Sequence, residues 1–345
     1  MTIERLLGIQ TPLIQAPMAG SQDSRLAIAV AEAGGLGSVP SALMTPSHLV
    51  EEIAAFRRAS SAPLNVNFFC HVSPVPDAAR EAAWRARLEP YYRELGLDPS
   101  AIPDGPGRAP FTHDLADLLD GDPPPVVSFH FGLPAADLLA RVKGWGAVVL
   151  ASATTLEEGQ WLAENGCDVV IAQGWEAGGH RGMFLSTDVG TQVGTFALVE
   201  RLAGSLTVPV VAAGGIATTT GVRAARTLGA AGVQVGTAFL RSSEATTSPI
   251  HRATLASAAA GTTAVTHLFT GRPARGIVNR IMREMGAMDA EPPAFPLAGA
   301  AIAPLRAEAE SRGLSDFSPM WAGQNATASR EASAAEITEE LCSAL

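Results

Sequence analysis

Short apolar runs alternate with helix-length amphipathic stretches eight times between residues 12 and 235, and that alternation leaves the chain few folds to adopt. The runs are residues 12–16 (PLIQA), 36–39 (LGSV), 64–69 (LNVNFF), 126–130 (VVSFH), 147–151 (AVVLA), 168–172 (DVVIA), 208–212 (VPVVA) and 232–235 (GVQV). Strands this apolar are covered on both faces, as in parallel sheets flanked by helices. Helical stretches lie at residues 23–33, 46–58 with Thr45 as N-cap, 134–143, 156–165, a segment ending near 203, and 218–228. Eight strand–helix repeats predict an α/β chain closed on itself as a (β/α)8 TIM barrel. An open doubly wound sheet would carry fewer strands and an early glycine fingerprint.

Two segments exceed the repeat. Residues 70–125 form an insertion, with a helix at 76–96 carrying Trp84, Tyr91 and Tyr92, and a Pro/Gly-rich loop at 99–110. Residues 241–345 form a C-terminal extension expected to wrap the barrel and cover its mouth. No Ser/Gly linker demands a second domain, so residues 1–345 read as one.

Composition excludes several function classes. The net charge of −10 opposes broad attraction to nucleic acid or anionic membranes. No apolar run approaches the ~20 residues a membrane helix needs. Cys70, Cys167 and Cys342 are far apart and odd in number, which predicts reduced thiols. The N-terminus lacks signal-peptide architecture, so a cytoplasmic location is expected. Lys143 is the single lysine, in an amphipathic stretch that reads as solvated surface, so lysine Schiff-base chemistry is disfavoured. The seven histidines show no metal-binding spacing, and no G-x-S-x-G is present.

In a (β/α)8 barrel the chemistry sits at the C-terminal ends of the strands. There, AAGGIA (residues 212–217) and QVGTAF (residues 234–239) place glycine after the seventh and eighth runs. Backbone N–H groups at such turns can cradle a phosphate, helped by the next helix N-terminus. AQGWEAGGHRG (residues 172–182) is the second signal. Gln173 offers a donor and an acceptor, and Gly178 with Gly179 allow close backbone approach to a planar ring. His180 has the right intrinsic acidity for proton transfer near neutrality. Glu176 is suited to orienting this loop, and Arg181 reads as a surface or mouth cation. His130 and Asn67 end apolar strands as polar residues. Each is either a contact to substrate or cofactor, or a satisfied structural group.

Together these motifs resemble the nitronate monooxygenase family, formerly 2-nitropropane dioxygenases. QTPLIQAPMAG, NVNFF, SFHFG, AQGWEAGGH, VPVVAAGGIA, GVQVGTAFL and TGRPARGIVN match it in order, and the resemblance runs from about Gln10 to Gln324. The resemblance implies a barrel that binds FMN and oxidises alkyl nitronates with O2 to a carbonyl compound and nitrite. It implies FMN contacts at Met18, Asn67, Gln173, Gly178, Gly215, Gln234, Val235, Gly236 and Thr237. His180 matches the catalytic histidine, and His130 a histidine lining the substrate pocket. The small-molecule partners are nitronate and O2, with homo-oligomerisation left open. Some relatives place lysine and tyrosine in the closing C-terminal segment; here the tyrosines are Tyr91 and Tyr92, although SDFSPMWAGQ (residues 315–324) keeps the W-A-G-Q ending. Flavin enoyl-ACP reductases and NAD(P)H:quinone reductases are the competing enzyme readings. A non-catalytic flavin-binding protein is the competing reading of another class.

Overall fold

The strands are β1 (Leu13–Gln15), β2 (Gly37–Pro40), β3 (Leu64–Phe69), β4 (Val126–His130), β5 (Val148–Ala153), β6 (Val169–Gln173), β7 (Gly179–His180), β8 (Val210–Ala213), β9 (Gly232–Val235), β10 (Thr263–Thr266) and β11 (Ala274–Ile277). They come from a computed structural model that describes residues 1–102, 108–288 and 291–344. Eight of them form one parallel sheet in the order β1-β9-β8-β6-β5-β4-β3-β2. A parallel bridge between Ile14 and Leu36 closes it, with the Leu36 N–H donating to the Leu13 carbonyl at 2.8 Å and the Gln15 N–H to the Leu36 carbonyl at 2.9 Å. This is the expected TIM barrel.

Strand boundaries moved for local reasons. The expected run at 208–212 starts at Val210, because Pro209 has no N–H for the ladder and serves only as acceptor, for the Val170 N–H at 3.0 Å. The runs at 147–151 and 168–172 continue to Ala153 and Gln173, which carries those strands further into the mouth. A helix at Ile3–Leu7 was not expected; five residues are too few to show a period. Its Ile3 and Leu7 pack with Ile14, Leu36, Leu150, Ile171 and Val211. The larger core lies between strands and outer helices, where Val66, Phe68, Val127, Phe129, Val149 and Val170 are fully or almost fully buried.

The insertion divides into two parts. Helix His113–Leu119 buries Ala116 and Leu119 in the main core and so serves as the β3–β4 crossover. Helix Ala78–Leu95 starts two residues later than expected, where the Asp77 carboxylate accepts from the Ala79 and Arg80 N–H groups. It packs away from the barrel against helix Gly299–Ser311: Trp84, Leu88 and Tyr92 share a core with Leu305 and Phe317, and the Tyr92 hydroxyl donates to the Ala301 carbonyl at 2.7 Å. Of the loop expected at 99–110, residues 103–107 lie outside the described residues. Lys143 is half-exposed and paired with Asp168 at 2.6 Å.

Strands β10 and β11 form an antiparallel hairpin that recruits β7, aligning Ala274 with His180 and Arg275 with Gly179. The C-terminal segment thereby holds the AQGWEAGGH loop over the barrel mouth. Among the described residues no helix is long and apolar enough to cross a membrane.

Candidate active site

A cavity opens at the C-terminal ends of the barrel strands. Met18, Asn67, His130, Gln173, Gly178, His180, Gly215, Gln234, Gly236 and Thr237 all line it. Val235 does not: its side chain points into the strand–helix core, and its carbonyl accepts from the Ala16 N–H at 2.8 Å. Strand alternation explains the split, since Gln234 and Val235 must face opposite sides.

The two glycine turns leave donors free. Among the described residues, the N–H groups of Gly215, Ile216 and Gly236 have no protein acceptor. Gly214 and Gly215 take φ values of +121° and +71°, a region L side chains rarely enter. Helix Thr219–Thr227 begins just beyond, adding its favourable N-terminal field for an anion. Buried Gln234 Oε1 also lacks a partner, leaving an acceptor for a ligand N–H. These groups fit a phosphate and a heteroaromatic ring edge.

Residues 321–325 knit this end together. The Gln324 N–H donates to the Glu176 carbonyl at 2.9 Å, the Gly323 N–H to Thr237 Oγ1 at 3.0 Å, and Asn325 Nδ2 to the Gly215 carbonyl at 3.0 Å. The Glu176 carboxylate accepts from both the N–H and the hydroxyl of Thr195 at 2.7 Å, which fixes its loop.

His180 also lines the cavity. Its Nε2 lies 3.0 Å from Thr270 Oγ1, and its ring is flanked by Trp321 at 5.5 Å and Phe295 at 5.4 Å. Desolvation holds its pKa well below 6.5, and Arg108, His130, Arg272 and His71 push it the same way. The imidazole is therefore neutral at neutral pH, in surroundings whose fixed cations favour an anionic guest. Phe131, at φ +72°, packs beside it with Arg272 stacked 3.8 Å above its ring.

His130 lines the cavity, but both ring nitrogens are engaged within the protein. Nε2 lies 3.1 Å from the His180 carbonyl, which can only accept, so this nitrogen carries the proton. Nδ1 then accepts from Ser152 Oγ at 3.1 Å. Burial lowers the His130 pKa to about 3, which keeps this neutral form. Gln173 Nε2 donates to the same carbonyl at 2.9 Å while its Oε1 accepts from the Gly182 N–H at 2.7 Å. His130 and Gln173 thus hold the backbone that presents His180. Asn67 Nδ2 likewise donates to the Ser128 carbonyl and hydroxyl, at 3.1 and 3.0 Å.

Arg181 is not the surface or mouth cation expected. It is fully buried, donating to the Gln173 and Gly174 carbonyls at 2.8 and 2.7 Å and to Gln192 Oε1 at 3.0 Å. Burial lowers its pKa to about 9. Sequence reading missed Phe295 and Asn325, which carry no local motif, and gave Thr270 no role beyond opening TGRPARGIVN. Only the W-A-G-Q ending pointed towards Trp321 and its neighbour.

A closed barrel with free N–H donors beyond its last two strands and a neutral histidine in the same cavity defines a barrel enzyme with an anion-binding end. The family described as nitronate monooxygenase matches residues 2–344, and the chain belongs to it; it is an oxidoreductase. A nitronate monooxygenase of Pseudomonas aeruginosa is 42% identical over 98% of this chain and 97% of its own length. One from Paraburkholderia phytofirmans is 40% identical over 97% and 92%. Among solved structures, a nitroalkane oxidase from Streptomyces ansochromogenes superposes with a TM-score of 0.89 at 35% identity, covering 99% of this chain and 96% of that one. FabK from Thermotoga maritima gives 0.75 at 28% identity, covering 99% and 95%.

Proposed function

We propose that this chain is an FMN-dependent enzyme that oxidises alkyl nitronates with O2 to a carbonyl compound and nitrite, and also accepts neutral nitroalkanes. The observation that carries the reading is His180, a neutral imidazole in a cationic, aromatic-walled cavity that also holds a cradle of unpaired N–H groups. Gly215, Ile216 and Gly236 would hold the FMN phosphate, and Gln234 Oε1 would accept from the ring edge. Bound there, the flavin supplies the electron-accepting capacity that no side chain of the cavity has. Met18, Asn67 and Gly178, which line the same cavity, would contact the bound flavin.

On the substrate side, the fields of Arg108 and Arg272 favour the anionic nitro group. Phe69 and Trp321 line the cavity as apolar surface for a short alkyl chain, with Phe131 and Phe295 packed against Phe69. With a preformed nitronate, His180 has only to stabilise charge. With a neutral nitroalkane it takes the α-proton.

The test is anaerobic mixing of the yellow protein with ethylnitronate or propionate 3-nitronate, and separately with NADH and NADPH. Bleaching by nitronate and not by pyridine nucleotide, with nitrite formed on aeration, is the expected result. Rapid bleaching by NAD(P)H alone would overturn the reading in favour of a flavin reductase, and bleaching by none in favour of a binding protein.

A further inference from the structure

Thr270 sits in the turn between β10 and β11, some ninety residues from His180 in sequence, with 2% of its surface exposed. Its Oγ1 is 3.0 Å from His180 Nε2 and 3.4 Å from the Arg272 carbonyl. The Arg272 carbonyl can only accept, and when the hydroxyl donates to it an oxygen lone pair faces the imidazole. Nε2 must then carry the proton. Among the described residues nothing bonds His180 Nδ1, and the ring lines the cavity.

The turn is built to hold this geometry. Gly271 has φ +83°, and a Cβ there would lie 2.1 Å from the Pro293 carbonyl oxygen and 2.8 Å from the Phe295 nitrogen. Its N–H donates to the His267 carbonyl at 2.7 Å. From the other side, His130 and Gln173 fix the His180 carbonyl. The backbone and one ring nitrogen are both anchored, leaving the second nitrogen for substrate.

We propose that Thr270 is a positioning residue that holds His180 in the Nε2–H tautomer, so that Nδ1 accepts the α-proton of a neutral nitroalkane. In that step the substrate C–H bond breaks, its electron pair forms the C=N bond of the nitronate, and the negative charge settles on the nitro oxygens. The proton joins Nδ1, and the Nε2–H···Oγ1 bond becomes charge-assisted, which steadies the imidazolium against Arg108, Arg272, His71 and His130 around it. This inference rests on the proposed nitronate and nitroalkane chemistry, whereas the tautomer itself does not.

The test uses the flavin-loaded enzyme and its Thr270→Val and Thr270→Ser variants. Nitrogen NMR of 15N-histidine-labelled protein, assigned with His180→Gln, reads the tautomer without turnover. Wild type and Thr270→Ser should show a protonated Nε2 and a bare Nδ1, and Thr270→Val a mixture. In turnover, Thr270→Val should lose roughly 10- to 100-fold in kcat/KM on nitroethane, and at least tenfold less on ethylnitronate. Its acid limb should move to lower pH, because the imidazolium has lost its acceptor. Thr270→Ser should recover most of the loss. A protonated Nδ1 in the wild type would overturn the proposal, as would equal losses on both substrates or an unmoved pH profile. If the wild type oxidises neither substrate, the functional reading fails while the NMR result still decides the tautomer.

Discussion

Gly178→Ala tests how the C-terminal segment holds the cavity. A Cβ at this position would lie 2.5 Å from both the Ala322 carbonyl carbon and the Gly323 nitrogen, and 2.9 Å from the Ala322 Cα. All three are backbone atoms, so no rotamer change relieves the clash. Reaching ordinary contact at 3.4 Å requires the two strands of chain to part by about 0.9 Å. The seam is held by the bonds from Gln324, Gly323 and Asn325 at 2.9, 3.0 and 3.0 Å, and that movement lengthens them beyond hydrogen-bonding range. Three bonds at roughly 0.5–1.5 kcal/mol net each come to about 1.5–4.5 kcal/mol, and overpacking left unrelieved costs about 1–3 kcal/mol in their place, so a loss of about 2–4 kcal/mol is expected. With an unfolding entropy of about 2.1 cal/mol/K per residue, the melting temperature should fall by roughly 3–6 °C. FMN affinity should fall too, because Asn325 no longer braces the Gly215 turn. Gly144→Ala is the control: nothing lies within 4 Å of its Cβ and its backbone is helical. Calorimetry and flavin titration on both variants provide the readout. Wild-type melting and wild-type FMN affinity in Gly178→Ala would refute the reasoning.

Arg181→Met should cost roughly 2–4 kcal/mol in urea unfolding, because two buried carbonyls lose their donor; an unchanged midpoint would show that another group replaces it. Gln234→Leu should weaken FMN binding by up to about tenfold, read by flavin titration, and an unchanged Kd would remove Oε1 from the cofactor site. Burial lowers the folded-state pKa of His71 and His251 to about 4 and of His130 to about 3, against an ordinary 6.5. Below pH 6.5 the unfolded chain therefore takes up protons that the folded chain refuses. Stability present above that pH is lost as pH falls towards 4, by up to about 1.4 kcal/mol per pH unit for each histidine. Urea midpoints that stay flat from pH 7 to 5 would contradict this.

The barrel was legible because its signal is local and repeated: each strand is a short, mostly apolar run, and most of the helices around it carry a side-chain N-cap and an apolar stripe. The glycine turns at the barrel mouth were legible for a related reason. Positive φ at Gly214 and Gly215 leaves glycine in the sequence wherever the turn occurs. Arg181 was misread because neither its burial nor its acceptors are written in neighbouring residues. Its partners are main-chain carbonyls, which every sequence possesses, and only the path of the loop decides whether a guanidinium finds them. The same holds for His130, whose partners are a hydroxyl on the next strand and a carbonyl fifty residues on. Thr270 is harder still, since a threonine in a turn carries no mark of the histidine it touches from another sheet strand. What the sequence displays is the group whose chemistry is intrinsic, His180. What it conceals are the neutral donors and acceptors that choose which nitrogen of that group reacts, and these act through geometry that exists only once β7 has joined β11.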